Sequence, residues 1–547
     1  MKFLQGFWRL FRKKADTDDI SIQQDLTDKE EKEYRTISHS ASDTVTVSSR
    51  EKIIPQKRHH QDKEKKPPSM GARKIELKVK SRRVPKSSKI FRKKLQKAYI
   101  QVGLDFGTST TKVVFSQLGR SFSKALNFNH NLSSYPNYCL PSLCAINKKG
   151  ELLLGIEAAE HLKNSPWNSG IQRLKVIVAG TYNPSFSDQK TQFNFENYIK
   201  RNGYEKSVTP ERLTSIYLAY AMKISRGLIK NLPEYRDIEL DLAFNICMPI
   251  DHLQNNRVCD VFKKIFLKAE ILERLWSTTP NNFDPLKVSY DIVENKISYG
   301  NKVFAVPESV AALASYLISL AKQDGLHAVI DFGSGTTDVS ICNLMDTREH
   351  TKSYWYAARN IPKGMIRVEK TVSEYLMECN DGSECNQRDI YNCINKLDSI
   401  VVPFEGVTSS NCKISRKIYE DLYQLKKSKE YYLTWGNAYR HLTNQTMWEH
   451  VTIFLTGGGS NLPYVQGIYS EPWWGNLTVR YPVYKLPMPD NYYPGESNAP
   501  FERMSVAYGL ARPLPELDEF ILPSDCPDHT PASLPIKERD HEDIYIT

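Results

Sequence analysis

The stretch "GLDFGTSTTKVVF" at residues 103–115 returns in altered form as "VIDFGSGTTDVSI" at residues 329–341. Each copy contains an apolar run that ends in Asp, a short turn of glycine and hydroxyl residues, and a second β-branched run. Aligning Asp105 with Asp331 also aligns Gly107 with Gly333 and Thr110 with Thr336. β-branched residues favour strands, and glycine favours tight turns. The sequence therefore predicts two units, each consisting of a strand, a tight turn and a second strand.

The two turns have the composition of a phosphate-binding site. Successive backbone N–H groups form an anion-binding nest, hydroxyl groups add donors, and glycine lets the backbone approach a ligand closely. Two carboxylates beside a polyphosphate suit Mg²⁺, and we expect Asp105 and Asp331 to supply them. A single turn of this kind is equally well a glycine hairpin with a structural Asp, but the duplication favours a ligand site. The predicted turn residues are Gly107, Thr108, Ser109 and Thr110 in the first unit and Gly333, Ser334, Gly335 and Thr336 in the second.

A third motif, "TIFLTGGGSNLPYV", occupies residues 452–465. A hydrophobic run leads into Gly457, Gly458 and Gly459, and a helix is expected to follow. Bare glycine backbone lets a flat ligand lie against the chain. Alone this motif is a weak signal, but it follows the two phosphate-type turns in order.

Together the three motifs resemble the ATPase superfamily that contains actin, sugar kinases and the DnaK-type heat-shock chaperones, over about residues 99–512. The resemblance implies an α/β, two-lobed actin-like fold, in which duplicated ribonuclease-H-like domains, one in each lobe, surround a central cleft for ATP or ADP and Mg²⁺. It implies that Asp105 and Asp331 hold the hydrated Mg²⁺ and that the turn residues contact the phosphates. It further implies that Asp338 lies near the metal and that Gly457 and Gly458 lie against the adenosine.

Within the superfamily, several stretches resemble the DnaK-type branch. "IQRLKVIVAG" at residues 171–180 is similar to the segment that carries the catalytic lysine, which implies that role for Lys175. "VPESVAALASY" at residues 306–316 implies that Glu308 is the acidic residue near the attacking water. The order Pro307–Glu308 also resembles bacterial actin-like filament proteins, so an actin-like interpretation stays open. Lys175 also has an ordinary interpretation, as a solvated residue of a helix.

The net charge of +11 is distributed unevenly. Residues 1–98 contain 27 Lys and Arg against 13 Asp and Glu, a net of +14, so residues 99–547 have a net charge of −3. This distribution disfavours nucleic acid as a partner of the body of the protein. The ten cysteines include no CxxC pair, which favours reduced thiols in the cytoplasm.

Six segments are predicted along the chain. Residues 1–14 form an amphipathic helix whose aromatic face fits either a membrane surface or a protein, with basic residues on the other side. The tether at residues 15–98 is basic, poor in aromatic residues and expected to be disordered. The remaining segments are lobe I at 99–307, lobe II at 308–495, a return helix at 496–512 and a C-terminal tail at 513–547.

Two classes of function fit these features. The first is a DnaK-like protein, a slow Mg²⁺-dependent ATPase without a peptide-binding domain, in which nucleotide-driven lobe closure regulates a protein partner. The second is a membrane-tethered actin-like protein that self-associates with ATP. A nucleotide-sensing scaffold with negligible turnover is a further alternative. The predicted location is the cytoplasm, with peripheral membrane contact possible through residues 1–14.

Overall fold

A computed structural model of the chain describes residues 96–132, 134–163, 170–183, 208–278, 283–286, 302–346, 351–379, 410–462, 464–474, 477–517 and 519–527. The predicted helix at 1–14 and nearly all of the predicted tether at 15–98 lie outside these residues. Residues 96–98, which the sequence assigned to the tether, belong instead to the first strand. They do so because Gln96 and Lys97 pair with Ile238 and Glu239 of a neighbouring strand.

Strands and helices alternate along most of the described chain. The strands are β1 (Gln96–Phe106), β2 (Thr110–Gln117), β3 (Ser123–Ala125), β4 (Leu140–Pro141), β5 (Leu143–Ile146), β6 (Leu152–Leu154), β7 (Gly170–Gln172), β8 (Ile238–Met248), β9 (Val303–Pro307), β10 (Gly325–Phe332), β11 (Thr337–Asp346), β12 (Thr351–Ile361), β13 (Thr452–Thr456), β14 (Val483–Lys485), β15 (Tyr492–Tyr493) and β16 (Glu519–Ile521). The helices are α1 (Gly155–Lys163), α2 (Leu174–Tyr182), α3 (Pro210–Lys230), α4 (Ile250–Gln254), α5 (Asn256–Thr278), α6 (Glu308–Leu317), α7 (Met365–Cys379), α8 (Ser410–Lys426), α9 (Lys429–His441), α10 (Val465–Ser470) and α11 (Phe501–Leu510).

The first large sheet has the strand order β15-β3-β2-β1-β8-β9, and β4 pairs with β2. Strands β1, β2 and β3 are antiparallel neighbours, whereas β8 and β9 run parallel to β1. Helices α3 and α5 contribute to the apolar core that covers this sheet. The sequence explains where α3 begins, because Thr209 accepts a hydrogen bond from the Arg212 amide and Pro210 occupies the first helical position.

The second large sheet has the order β14-β13-β10-β11-β12-β16. Strands β10, β11 and β12 are antiparallel neighbours, and β13 and β14 run parallel to β10. Each sheet also gains one short edge strand, parallel to its third strand: β15 beside β3 and β16 beside β12. The two sheets therefore share one strand order with the same relative strand directions. One of the two predicted strand–turn–strand units lies at the centre of each sheet.

Helices α6 and α11 pack against each other and share an apolar cluster with residues of both sheets. Their contact depends on small residues. A Cβ atom on Gly509 of α11 would lie 1.9 Å from the Ala311 carbonyl oxygen of α6, and one on Gly103 of β1 would lie 2.2 Å from the Ala507 carbonyl oxygen. Glycine at these two positions therefore allows α11 to approach both its neighbours at backbone distance.

Gly509→Ala is expected to lower the free energy of unfolding by about 1–3 kcal/mol, because backbone must move to admit the methyl group. Gly436→Ala on α9 is the matched control, since a Cβ atom there would meet nothing within 4 Å. The control should be neutral or should stabilise the protein by up to about 1 kcal/mol through helix propensity. Urea unfolding of both variants measures the difference, and equal effects would contradict the close contact between α6 and α11.

The C-terminal segment around residues 513–527 packs on the body of the protein. Strand β16 pairs with Lys352, Ser353 and Tyr354 of β12, and Glu519 forms a 3.0 Å ion pair with Lys352. None of the helices in the described part of the chain is long and apolar enough to cross a membrane.

Candidate functional site

The first hairpin, β1 and β2, carries Asp105 at the end of its first strand. Asp105 is opposite Lys112 in the antiparallel register, and their side chains form a short ion pair. Burial alone would lower the pKa of Lys112, but the carboxylate of Asp105 outweighs it and the pKa is raised. The other oxygen of Asp105, Oδ1, lies 3.4 Å from the Cys247 thiol at the end of β8.

The second hairpin, β10 and β11, repeats this geometry with a different charge. Asp331 is opposite Asp338, so a carboxylate stands where the first hairpin has Lys112. The Asn360 amide on β12 donates to Asp338 across 2.6 Å. The second hairpin thus concentrates negative charge where the first neutralises it.

The two turns lie in direct contact. Ser109 Oγ and Ser334 Oγ are 2.5 Å apart, and a Cβ atom on Gly335 would lie 2.7 Å from the Thr108 methyl group. The predicted turn residues of the two units are therefore brought together. In this conformation, however, they leave no room for a polyphosphate between them.

The backbone amides of the turns correct one sequence-based expectation. The N–H groups of Gly107 and Gly333 close their own turns, donating to the Thr110 and Thr336 carbonyl groups at 3.2 and 2.9 Å. These two donors are used within the turns and are not offered to a ligand. In addition, Thr110 is the first residue of β2, so it belongs to the strand and not to the turn.

Lys175 and Glu308 form a buried ion pair with an Nζ to Oε2 distance of 2.7 Å. Lys175 lies in the first turn of α2 and Glu308 is the first residue of α6, after Pro307 as N-cap. Burial opposes the charge of Lys175, but Glu308 and other nearby acidic groups outweigh it and raise its pKa. The interpretation of Lys175 as a solvated helix residue is therefore wrong, because its side chain is only 9% exposed.

A cluster of four carboxylates lies in this region, formed by Asp105, Glu308, Asp331 and Asp338. Burial together with the charges of Glu308 and Asp105 raises the pKa of Asp331 to about 7. Burial and Glu308 likewise raise the pKa of Asp338 well above its ordinary value. Of the described residues, Lys112 and Lys175 supply ammonium groups here, so the fully ionised cluster has a net negative charge. Donor atoms of Asp105, Cys247 and Glu308 also lie within 4.8 Å of one another, close enough to share a cation.

The glycine motif adjoins the second hairpin. Thr456, the last residue of β13, is the parallel neighbour of Asp331, and Gly457 follows with a φ of 84°. A Cβ atom on Gly457 would lie 2.2 Å from Asp331 Oδ1. Gly458 is instead near Arg503 of α11, whose guanidinium stacks on Tyr138. The structure therefore brings Gly457 to the carboxylate cluster and Gly458 to its periphery.

A small recess lies between the two halves of the site. Its lining residues come from both turns, from α2 and α4 and from β12: Thr108, Lys175, Val176, Ala179, His252, Thr336 and Asn360. His252 is buried and stacks on Phe262, with ring centroids 5.9 Å apart. The recess joins the predicted catalytic lysine to a threonine from each turn.

The sequence did not point to several residues of this site. Lys112 was missed. In a hairpin, two residues that are equally far from the turn lie opposite each other, and Asp105 and Lys112 are such a pair. Gly364 was also missed. A Cβ atom there would lie 2.6 Å from the Gly333 and Ser334 carbonyl oxygens, which accept hydrogen bonds from Met365 and Ile366. The start of α7 thus fixes the second turn.

Acid is expected to destabilise the protein through His252. Burial and the nearby charge of Lys175 lower the pKa of His252 to about 3. Because the unfolded chain binds this proton more readily, the contribution of His252 is complete above about pH 6.5 and is lost as the pH falls toward 3. The free energy of unfolding, measured in urea, should fall between pH 7 and pH 4.5 in the original protein. In His252→Gln and His252→Phe this fall should be smaller by about 1–3 kcal/mol. Equal losses in all three proteins would contradict this assignment.

A comparison with protein-family models and curated proteins adds no relative to this geometry. No family model matches the chain, and no curated protein matches it significantly.

Proposed function

We propose that the chain is an ATP-binding protein with the two-lobed fold of the actin and DnaK-type ATPases, one lobe on each large sheet. The observation that carries the proposal is the repeated hairpin. Two sheets of the same strand order present an Asp and a hydroxyl-rich turn to each other, with Ser109 Oγ and Ser334 Oγ 2.5 Å apart. A repeat of this kind supports a ligand held from both sides, as the phosphate chain of a nucleotide would be.

The contact between the turns also supports a switch. Because they touch, a polyphosphate has to separate them before it can bind between them. A ligand shifts a conformational equilibrium toward the state it binds better. Nucleotide binding would therefore change the relation of the two lobes, and this change would regulate a protein partner in the DnaK-like interpretation.

The residues of the cluster fit a nucleotide with its divalent cation. Asp105 and Asp331 would hold hydrated Mg²⁺, which in such sites neutralises charge on the phosphates. Hydroxyl groups of Thr108, Ser109 and Thr336 would donate to phosphate oxygens. Lys175 would compensate the negative charge that develops at the terminal phosphate, which is the role of a preorganised cation in phosphoryl transfer. The activity that we propose for this site is slow hydrolysis of ATP.

Equilibrium titration of the full chain with a fluorescent ATP analogue tests the proposal. Saturable Mg²⁺-dependent binding is expected, with a loss of at least 100-fold in affinity in Asp331→Asn. Asp346→Asn is the matched control, because Asp346 is at the far end of β11 from the turn. Absence of binding, or equal binding by all three proteins, would refute the proposal.

Light scattering then separates the two classes of function. The DnaK-like interpretation, which the Lys175 and Glu308 pairing favours, predicts no change in scattering when ATP is added to the nucleotide-binding protein. A rise that requires ATP and is absent in Asp331→Asn would instead identify an actin-like protein that polymerises. Binding without measurable hydrolysis would indicate a nucleotide-sensing scaffold.

A further inference from the structure

Asn360 occupies a special position in the second half of the site. It lies on β12 opposite Asp338 of β11, and its side chain is buried, with 2% of the residue exposed. Its Nδ2 atom donates to Asp338 Oδ1 across 2.6 Å. In this bond the amide nitrogen donates and the Asp338 oxygen accepts, so the bond does not use the amide oxygen Oδ1.

Asn360 adjoins the recess defined above, which in this conformation has no room for a water molecule. Asn360 lines it together with Lys175 and the threonines of both turns. Within the described part of the chain, no hydrogen-bond donor reaches Asn360 Oδ1. A buried acceptor that lacks a donor destabilises a fold, so its retention requires an explanation such as a ligand that is bound only at times.

The neighbours of Asn360 restrict what that ligand is. Val176 and Ala179 of α2 line the recess as apolar residues, and Lys175, whose ammonium is paired with Glu308 at 2.7 Å, lines it as a charged residue. An acceptor without a donor, beside an ammonium group, suits a small molecule that donates one hydrogen bond and still has a lone pair with which to form a new bond. Water meets that description, whereas a phosphate oxygen has no proton to donate to Asn360.

We propose that Asn360 positions the attacking water of ATP hydrolysis by accepting a hydrogen bond from it through Oδ1; this inference rests on the proposed function. When the two turns separate, the recess opens beside the space between them, and water enters next to Lys175 and Glu308. The water oxygen forms a bond to the terminal phosphorus while the bond from that phosphorus to the bridging oxygen breaks. The electron pair leaves with the diphosphate. One proton of the water stays on the oxygen that has joined the phosphorus, and the other passes to another oxygen of the released phosphate.

Asn360 is a positioning residue in this scheme, because it acts on the water and not on the phosphate. Its bond to Asp338 fixes the direction of Oδ1, so the acceptor is preorganised before water enters. Orientation of a nucleophile lowers the barrier of the chemical step and leaves the binding of the nucleotide nearly unchanged. The inference therefore predicts a separation between affinity and hydrolysis rate.

The test compares Asn360→Leu, which has a similar volume and no acceptor, with Asn360→Gln, which keeps an amide oxygen. ATP affinity of the full chain with Mg²⁺ is measured by equilibrium titration, and the rate of phosphate release is measured in a single turnover. Asn360→Leu is expected to bind ATP within threefold of the original protein and to hydrolyse it about 10- to 100-fold more slowly. Asn360→Gln is expected to recover part of that rate, and a thermal unfolding curve of each variant reports whether it is folded.

Four results would overturn the inference. Hydrolysis by Asn360→Leu within threefold of the original rate would exclude a positioning role and leave nucleotide binding intact. A parallel fall in affinity and rate would make Asn360 a structural support of Asp338. Nucleotide binding without any hydrolysis in the original protein would remove the reaction that the inference needs. Absence of nucleotide binding in the original protein would refute both the inference and the proposed function.

Discussion

Replacing Lys175 with methionine is expected to lower the free energy of unfolding by about 3–5 kcal/mol. The Nζ to Oε2 distance of 2.7 Å and the burial of both side chains make Lys175 and Glu308 a desolvated ion pair. Removing one partner leaves the other charge buried without compensation, which costs far more than the pair itself contributes. Methionine keeps most of the volume of lysine, so loss of packing adds little.

The double variant Lys175→Met/Glu308→Leu separates the charge effect from the packing effect. Removing both charges is expected to recover most of the lost stability, because a well-packed apolar pair often matches a buried ion pair. The coupling energy from urea unfolding of the two single variants and the double variant should be at least about 2 kcal/mol. Coupling below about 0.5 kcal/mol would show that the two side chains do not meet in solution.

Hydrolysis is expected to behave differently from stability in the same variants. If Lys175 compensates charge at the terminal phosphate, both variants that lack it should hydrolyse ATP at least about 100-fold more slowly. Recovery of stability in the double variant without recovery of hydrolysis would therefore assign Lys175 a chemical role. Recovery of both would mean that Lys175 serves only to neutralise Glu308.

The hairpins were accessible to sequence reasoning because their signals are local. An apolar run, an Asp and a glycine turn determine strand, turn and strand within 13 residues, and β1 with β2 and β10 with β11 follow as predicted. The resemblance of two further stretches to the DnaK-type branch also pointed to Lys175 and Glu308, although they are 133 residues apart. Local sequence patterns could not predict the positions of the edge strands β15 and β16. Both strands come from the C-terminal part of the chain, yet they join different sheets.

The missed residues depend on register between strands. Lys112 looks like one residue of an ordinary strand until the antiparallel pairing places it opposite Asp105. Asn360 is 22 residues beyond Asp338, and only the pairing of β11 with β12 brings the two together. No local pattern marks such a residue, because its contact is with a side chain on the next strand. The contact between Ser109 and Ser334 was equally inaccessible, since it depends on the conformation of the whole site.

Asp331→Asn is expected to stabilise the nucleotide-free protein at pH 8 while abolishing nucleotide binding. In the folded protein, burial and the charges of Glu308 and Asp105 raise the pKa of Asp331 to about 7. The unfolded chain releases this proton at a pKa near 3.8. The folded state therefore binds the proton more tightly, and the stability that this proton contributes is lost as the pH rises from about 4 through 7.

At pH 8 the ionised carboxylate opposes folding, and the neutral amide of asparagine removes that cost. Unfolding in urea with EDTA present should give Asp331→Asn an advantage of about 1–4 kcal/mol at pH 8, and this advantage should disappear near pH 4. A variant that is more stable yet loses at least 100-fold in affinity for Mg²⁺ and ATP would mean that Asp331 is kept for its ligand at the expense of stability. If Asp331→Asn is instead less stable at both pH values, the carboxylate supports the fold through contacts such as its approach to Gly457. The cluster would then be structural, and the case for a cation between the two hairpins would fail with it.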